Sequence, residues 1–310
     1  MNEKYNVARA WGYYGGKAKV VDRILSCLPL EYTSWHELFI GGGSITFSKE
    51  KPACCHKEVI NDYDRTISNF YRVLSDKQMG KRLMDELLHQ GMNKVTFMKA
   101  REYVLYNNNR MYDFELAVST YIEISQSFSA LRNNYAVGRK ESTYENAIKH
   151  HLPRVRERLL SGIDIKSEDA IMLLDGIRED YGAMVYLDPP YRSELRNGRG
   201  YRCELNTLQQ IRLLRVLQKC KCRVMLSGYR DEIGPDLYDS YLLPYGFKLY
   251  KLSEVVKSCQ TKKKKDKAVE YIWCNYELPS GALVEGEITP RYKYVQYDEY
   301  LDDKIIKKVS

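Results

Sequence analysis

Met184-Val185-Tyr186-Leu187-Asp188-Pro189-Pro190-Tyr191 is the stretch on which the reading of this 310-residue chain turns. The apolar run from Met184 to Leu187 reads as a strand buried on both faces. Neither proline can donate to a strand ladder, so pairing stops at the carboxylate. Asp188 is thereby placed at the carboxyl end of a strand, the edge at which open α/β sheets bind ligands. The proline pair stiffens the backbone between an acid and an aromatic ring, so a carboxylate, a peptide carbonyl and a flat ring face one point. A strand ending in a tight turn explains Asp-Pro alone; it does not account for the whole tetrapeptide after an apolar strand.

Working outward towards the amino terminus, Ser34 to Phe39 is a short strand, followed by Ile40-Gly41-Gly42-Gly43-Ser44 and an expected helix from Ile45. Glycines after a strand permit a tight turn and close backbone approach to a nucleoside-bearing ligand. Position 46 is Thr rather than the third glycine of a dinucleotide fingerprint, which argues against a pyrophosphate on a helix terminus. A second strand, Glu58 to Ile60, ends at Asn61-Asp62, about twenty residues past the glycines, where an acid can take ribose hydroxyls; a helix cap is the alternative role. Further upstream, Tyr13-Tyr14-Gly15-Gly16-Lys17 is a glycine turn ahead of a helical pattern, able to bring a lysine and a ring close to a ligand.

From Asp64 to about Leu160 the pattern is helical, with amphipathic runs around 67–74, 81–89, 97–106 and 116–124. No parallel-sheet crossover needs so long an excursion, so residues 65–154 read as an inserted helical subdomain between two parts of one catalytic domain, 1–64 and 155–277. The segment Ser125 to Tyr135 is polar, aromatic and cationic together. Arg132, Asn134, Arg139 and Lys140 are its candidate contacts to phosphates and base edges, with a solvated helix face as the plain alternative. The sheet resumes at 162–165 and ends near Glu168-Asp169, where Asp169 can accept from a purine amine or cap the following helix.

Beyond the tetrapeptide, Arg192, Arg196 and Arg199 lie in a loop of four arginines and two glycines suited to phosphates. A helix over 208–217 and a strand over 222–227 make another βα unit, and 247–256 with 269–276 read as a late antiparallel pair. Lys262 to Lys265 reads as a solvated loop tip, and the tyrosine-rich tail 278–310 receives no role.

The bulk properties bound the answer without deciding it. Hydrophobic content of 44% argues for a folded core, and a formal charge of +8 suits a polyanionic partner. Eight irregularly spaced cysteines show neither a paired CxxC metal site nor a disulfide framework, as expected of reduced thiols in a cytoplasmic protein with no metal. No apolar run reaches membrane-spanning length, and the first residues lack a signal peptide's apolar core.

Together YYGGK, ELFIGGGS, the strand ending at Asp62, MVYLDPPY, VMLSGY and EYIWCNY resemble the Dam-like class of S-adenosylmethionine-dependent adenine-N6 DNA methyltransferases, over roughly residues 11–276 and in the family's motif order. The resemblance implies an α/β, Rossmann-like methyltransferase sheet, mostly parallel with one antiparallel strand, plus a helical target-recognition insert. It implies S-adenosylmethionine held by Tyr13, Lys17, Phe39, Gly41, Gly43, Asp62, Asp169 and Asp188. Asp188, Pro189 and Tyr191 match the catalytic motif. The partners it implies are double-stranded DNA and a cognate restriction endonuclease. Related enzymes that act on cytosine N4 more often begin the tetrapeptide with Ser, and those acting on glutamine or RNA adenine commonly begin it with Asn. Asp188 therefore favours DNA adenine. A non-catalytic DNA-binding subunit would not need to keep Lys17, Asp62, Asp188 and Tyr191 together, and a nicotinamide oxidoreductase is disfavoured by Thr46 and by the tetrapeptide.

Overall fold

The computed structural model describes residues 7–12, 17–192, 195, 202–231, 233–256 and 267–290. Tyr13, Arg196, Arg199 and the lysine run 262–265 lie outside the described residues.

Seven strands form one sheet: β1 (Ser34–Glu37), β2 (Lys57–Asn61), β3 (Ile163–Lys166), β4 (Ala183–Leu187), β5 (Arg223–Gly228), β6 (Lys248–Val256) and β7 (Lys267–Cys274), in the order β3-β2-β1-β4-β5-β7-β6. The pairs among β1 to β5 are parallel, whereas β7 runs antiparallel to both β5 and β6. The order reverses between β1 and β4, so their carboxyl ends open the crevice in which such sheets bind ligands.

The central strand behaves as its apolar run demands. All five residues of β4 are buried. Met184 and Tyr186 join Trp35, Met225 and Ile272 on one face, beneath α1 (Val21–Ser26). Val185 and Leu187 join Val224 and Trp273 on the other, beneath α8 (Ala170–Ile177), α9 (Thr207–Leu217) and α10 (Leu237–Leu242). The period-two alternation of a strand thus serves two apolar layers at once.

Between β2 and β3 run α2 (Arg65–Ser75), α3 (Met79–Gln90), α4 (Lys94–Asn107), α5 (Phe114–Ser125), α6 (Glu141–Asn146) and α7 (Leu152–Leu160). Helices α2 to α5 coincide with the amphipathic runs, and Asp64, Asn93 and Asp113 cap α2, α4 and α5 by accepting backbone N–H groups. This segment shares one hydrophobic cluster with the sheet, in which Phe70, Tyr71 and Tyr121 pack with Ile40, Ile60 and Ile163. The start of the tail is tied down as well: Glu285 and Ile288 donate to Lys251 and Leu249 along the free edge of β6.

The helix expected from Ile45 does not form. Residues 44–48 make turns, with Phe47 N bonded to Gly43 O at 3.1 Å and Lys49 N to Ile45 O at 3.0 Å. The helical bond that would precede them, Thr46 N to Gly42 O, is taken at both ends, because Gly42 O accepts from Ala10 N at 3.0 Å and Thr46 N donates to Glu37 Oε2 at 2.9 Å. The one between them is replaced by a tighter bond from Ser48 N to Ile45 O at 3.1 Å. Gly41 and Gly43 stand at φ of 47° and 73°, a backbone that a side chain rarely adopts.

Candidate active site

A cavity of about 220 Å³ opens at the carboxyl ends of β1, β2 and β4, lined among others by Lys17, Phe39, Gly41 to Gly43, Asp62, Asp169 and Asp188. Every described residue expected to hold the cofactor therefore lies on one cavity. Pro190 also lines it, while Pro189 and Tyr191 are buried and do not.

At one end sits Asp62. Its Oδ2 accepts from Gly41 N at 3.0 Å and its Oδ1 from Asp64 N at 2.9 Å, so the acid braces the glycine loop. The cap of α2 is Asp64, which removes the capping alternative for Asp62. Burial, together with the neighbouring Asp64 charge, pushes the Asp62 carboxyl up to about 7. Asn61 ties three strand ends together by donating to Leu38 O and Glu168 O, both at 3.1 Å. Asp169 does cap its helix, accepting from Ile171 N at 2.8 Å, and lines the cavity as well.

At the other end Asp188 is held on one oxygen. Its Oδ1 receives Lys17 Nζ at 2.5 Å and Ser227 Oγ at 3.2 Å, while Oδ2 carries no hydrogen bond among the described residues. Lys17 also meets the Tyr191 hydroxyl and lies 3.2 Å from Glu270 Oε1, to which Tyr191 donates. Burial works to lower the Lys17 pKa, but the Asp188 and Glu270 carboxylates outweigh it and raise the value above that of an ordinary lysine. The Tyr191 ring packs against Tyr229 with centroids 4.4 Å apart and is 4% exposed. Glu37 completes the wall: Thr46 donates to it through both backbone and side chain, and burial pushes its carboxyl up to about 8.

Of the described residues expected to face phosphates and base edges, Asn134, Arg139 and Lys140 are exposed, and Arg132 and Arg192 prove to be internal. Arg132, 8% exposed, donates to Asp64 Oδ2 at 2.7 Å and to Glu123 Oε2 at 2.8 Å through Nε. Arg192 is buried against Asp236, its guanidinium 5.4 Å from the Tyr238 ring. The reason is the same for both: Asp64, Glu123 and Asp236 are buried carboxylates, and desolvated charges need a partner with directed donors. Ser227, Glu37, Glu270 and Tyr229 are the site residues that sequence reasoning missed. Ser227, Tyr229 and Glu37 followed or ended recognised strands and could have been found by the strand-end rule; Glu270 depends on the reversal of β7.

Strand order, the reversed seventh strand and the crevice at the strand ends together define the S-adenosylmethionine-dependent methyltransferase fold. Residues 13–258 match the D12 class N6 adenine-specific DNA methyltransferase family, and the chain belongs to it. It is 25% identical to the Type II methyltransferase M1.LlaDCHI of Lactococcus lactis subsp. cremoris over 299 residues, covering 89% of this chain and 98% of that protein. Against the Type II methyltransferase M.MjaIII of Methanocaldococcus jannaschii the identity is 25% over 292 residues, covering 84% and 96%. The modification methylase StsI of Streptococcus sanguinis is 20% identical over 234 residues, covering 72% of this chain and 35% of that protein.

Proposed function

We propose that this adenine-specific DNA methyltransferase takes its methyl group from S-adenosylmethionine and delivers it to the N6 amine of an adenine turned out of duplex DNA, with Asp188 as the acceptor that activates the amine. The observation that carries this is the split at Asp188: one carboxylate oxygen anchored by Lys17 and Ser227, the other without a hydrogen bond among the described residues, on a wall shared with the glycine loop.

The donor set suits the cofactor. Asp62 offers a carboxylate for ribose hydroxyls, Asp169 an acceptor for an adenine amine, and Phe39, Ile45, Ile171 and Leu205 an apolar lining. When bound, S-adenosylmethionine supplies a methyl on a positively charged sulfur. The remaining work falls to the chain. An adenine amine is a poor nucleophile because its lone pair is delocalised into the ring. Accepting its hydrogens at Asp188 and the Pro189 carbonyl localises that pair and stabilises the positive charge that develops on nitrogen. Holding both reactants in one crevice contributes the alignment. Tyr191 is the proposed stacking partner for the extruded base, for about 1–3 kcal/mol once its ring face is uncovered.

In this reading the helical segment with Asn134, Arg139 and Lys140 faces the duplex. A restriction endonuclease for the same site is the proposed companion, by extension from the Type II names of two relatives. Among the described residues no helix is long and apolar enough to cross a membrane, which fits action on DNA in the cytoplasm.

Asp188→Ala, incubated with labelled S-adenosylmethionine and methyl-free DNA, is expected to retain most of its cofactor binding and to leave no label in N6-methyladenine. Wild-type methylation by this variant would refute the assignment.

A further inference from the structure

Glu270 opens the EYIWCNY segment on β7, and the antiparallel course of that strand is what brings it to the active site. The next residue, Tyr271, pairs with Gly228 at the carboxyl end of β5, so the early residues of β7 stand beside the late ones of its parallel neighbours. Glu270 is 3% exposed and deposits its carboxylate between Lys17 and Tyr191.

The resulting cluster has one cation between two anions. With Lys17 only on Asp188, the ammonium would cancel the negative charge that the target amine must meet, since a paired carboxylate is a weaker acceptor. With Glu270 at 3.2 Å, the same ammonium is shared between two carboxylates, of which Asp188 lines the cavity and Glu270 lies behind it. Glu270 also accepts the Tyr191 hydroxyl, which holds the ring of the tetrapeptide in place.

We propose that Glu270 is a positioning residue for methyl transfer: it shares the Lys17 charge and orients Tyr191, so that Asp188 keeps its acceptor strength towards the target amine. This rests on the Asp188 role proposed above. Among the described residues the titratable groups around the cluster are Lys17, Asp188 and Tyr191 in contact, with Glu37 of β1 coupled to it through Asp188 and Tyr186 of β4 through both Asp188 and Glu270. Burial raises the Glu270 pKa, with Lys17 opposing.

The test is the single-turnover methylation rate against pH for wild type, Glu270→Gln, Glu270→Asp and Asp188→Ala, with S-adenosylmethionine binding measured alongside. Glu270→Gln is expected to lose roughly tenfold to a hundredfold in rate, the range typical of groups that orient a reacting ligand, with cofactor affinity nearly unchanged. The alkaline limb of its pH profile should move to lower pH, because Lys17 loses one of the two carboxylates that hold its pKa up. Glu270→Asp keeps the charge, so it should lose rate while its alkaline limb stays where wild type has it. A uniform loss with an unmoved alkaline limb in Glu270→Gln, or that limb displaced equally in Glu270→Asp, would reduce Glu270 to a structural residue. A wild-type Glu270→Gln profile beside an inactive Asp188→Ala would overturn this inference alone; an active Asp188→Ala would overturn both readings.

Discussion

Two buried clusters in this molecule share a core of one buried cation between two carboxylates, with the partly exposed Arg202 at the rim of the second, and they have opposite characters. In the first, Lys17 joins Asp188 and Glu270; in the second, Arg132 joins Asp64 and Glu123. A lysine ammonium is a compact point charge on a flexible stem, able to divide itself between neighbours, and its cluster lines the cavity. The Arg132 guanidinium is a planar fork that binds through Nε and both terminal nitrogens, and it joins the cap of α2 to α5. Its own backbone stands at φ of 64° and donates to Ser127 Oγ at 3.1 Å, a constrained residue held by its surroundings. A similar buried core makes an adjustable site in one place and a staple in the other, and the geometry of the central cation separates them.

That contrast can be broken most directly at Lys17. Lys17→Met is expected to lower the methylation rate by about a hundredfold to a thousandfold in a folded protein, because Asp188 loses its anchor. A variant that methylates normally would show the first cluster to be scaffolding.

Arg132→Ala is the opposite case. Removing it strands two buried carboxylates, so denaturant unfolding should report about 3–5 kcal/mol of lost stability, with activity falling only as the folded fraction falls. An intact stability beside a selective loss of DNA binding would make Arg132 a DNA contact after all.

Asp62, two residues before the Arg132 partner Asp64, sharpens the comparison through pH. Its folded pKa, pushed up to about 7 by burial and by Asp64, lies above the ordinary aspartate value of 3.8. The unfolded chain therefore releases this proton first, and the group costs stability that grows from about pH 4 and is complete above about pH 7. Ribose hydroxyls favour the ionised form, so cofactor affinity should rise between pH 6 and 8. Asp62→Asn should bind weakly with a flat profile and melt higher than wild type at pH 8. Equal pH dependence in the variant would remove Asp62 from the cofactor site.

The smallest effect is expected at the exposed edge of the helical segment. Lys140→Ala should weaken DNA binding equally for all sequences and reduce the slope of log affinity against log salt by about one. An unchanged slope would assign Lys140 to the solvated surface.

The sequence by itself determined what local chemistry controls. Two prolines end a strand wherever that strand lies, so Asp188 had to stand at a sheet edge; glycines that adopt positive φ had to make the turn before Asp62; and the amphipathic periods of α2 to α5 had to be helices because their apolar stripes recur at helical spacing. Tertiary structure alone decided which charges meet. Glu270 reaches Lys17 across a strand reversal, Arg132 and Arg192 turn inward to carboxylates remote in sequence, and the helix after Ile40 gives way because Ala10 and Glu37 claim its hydrogen bonds. The physical reason is that a strand end or a turn depends on a few adjacent residues, whereas the value of a charge depends on everything that displaces water around it.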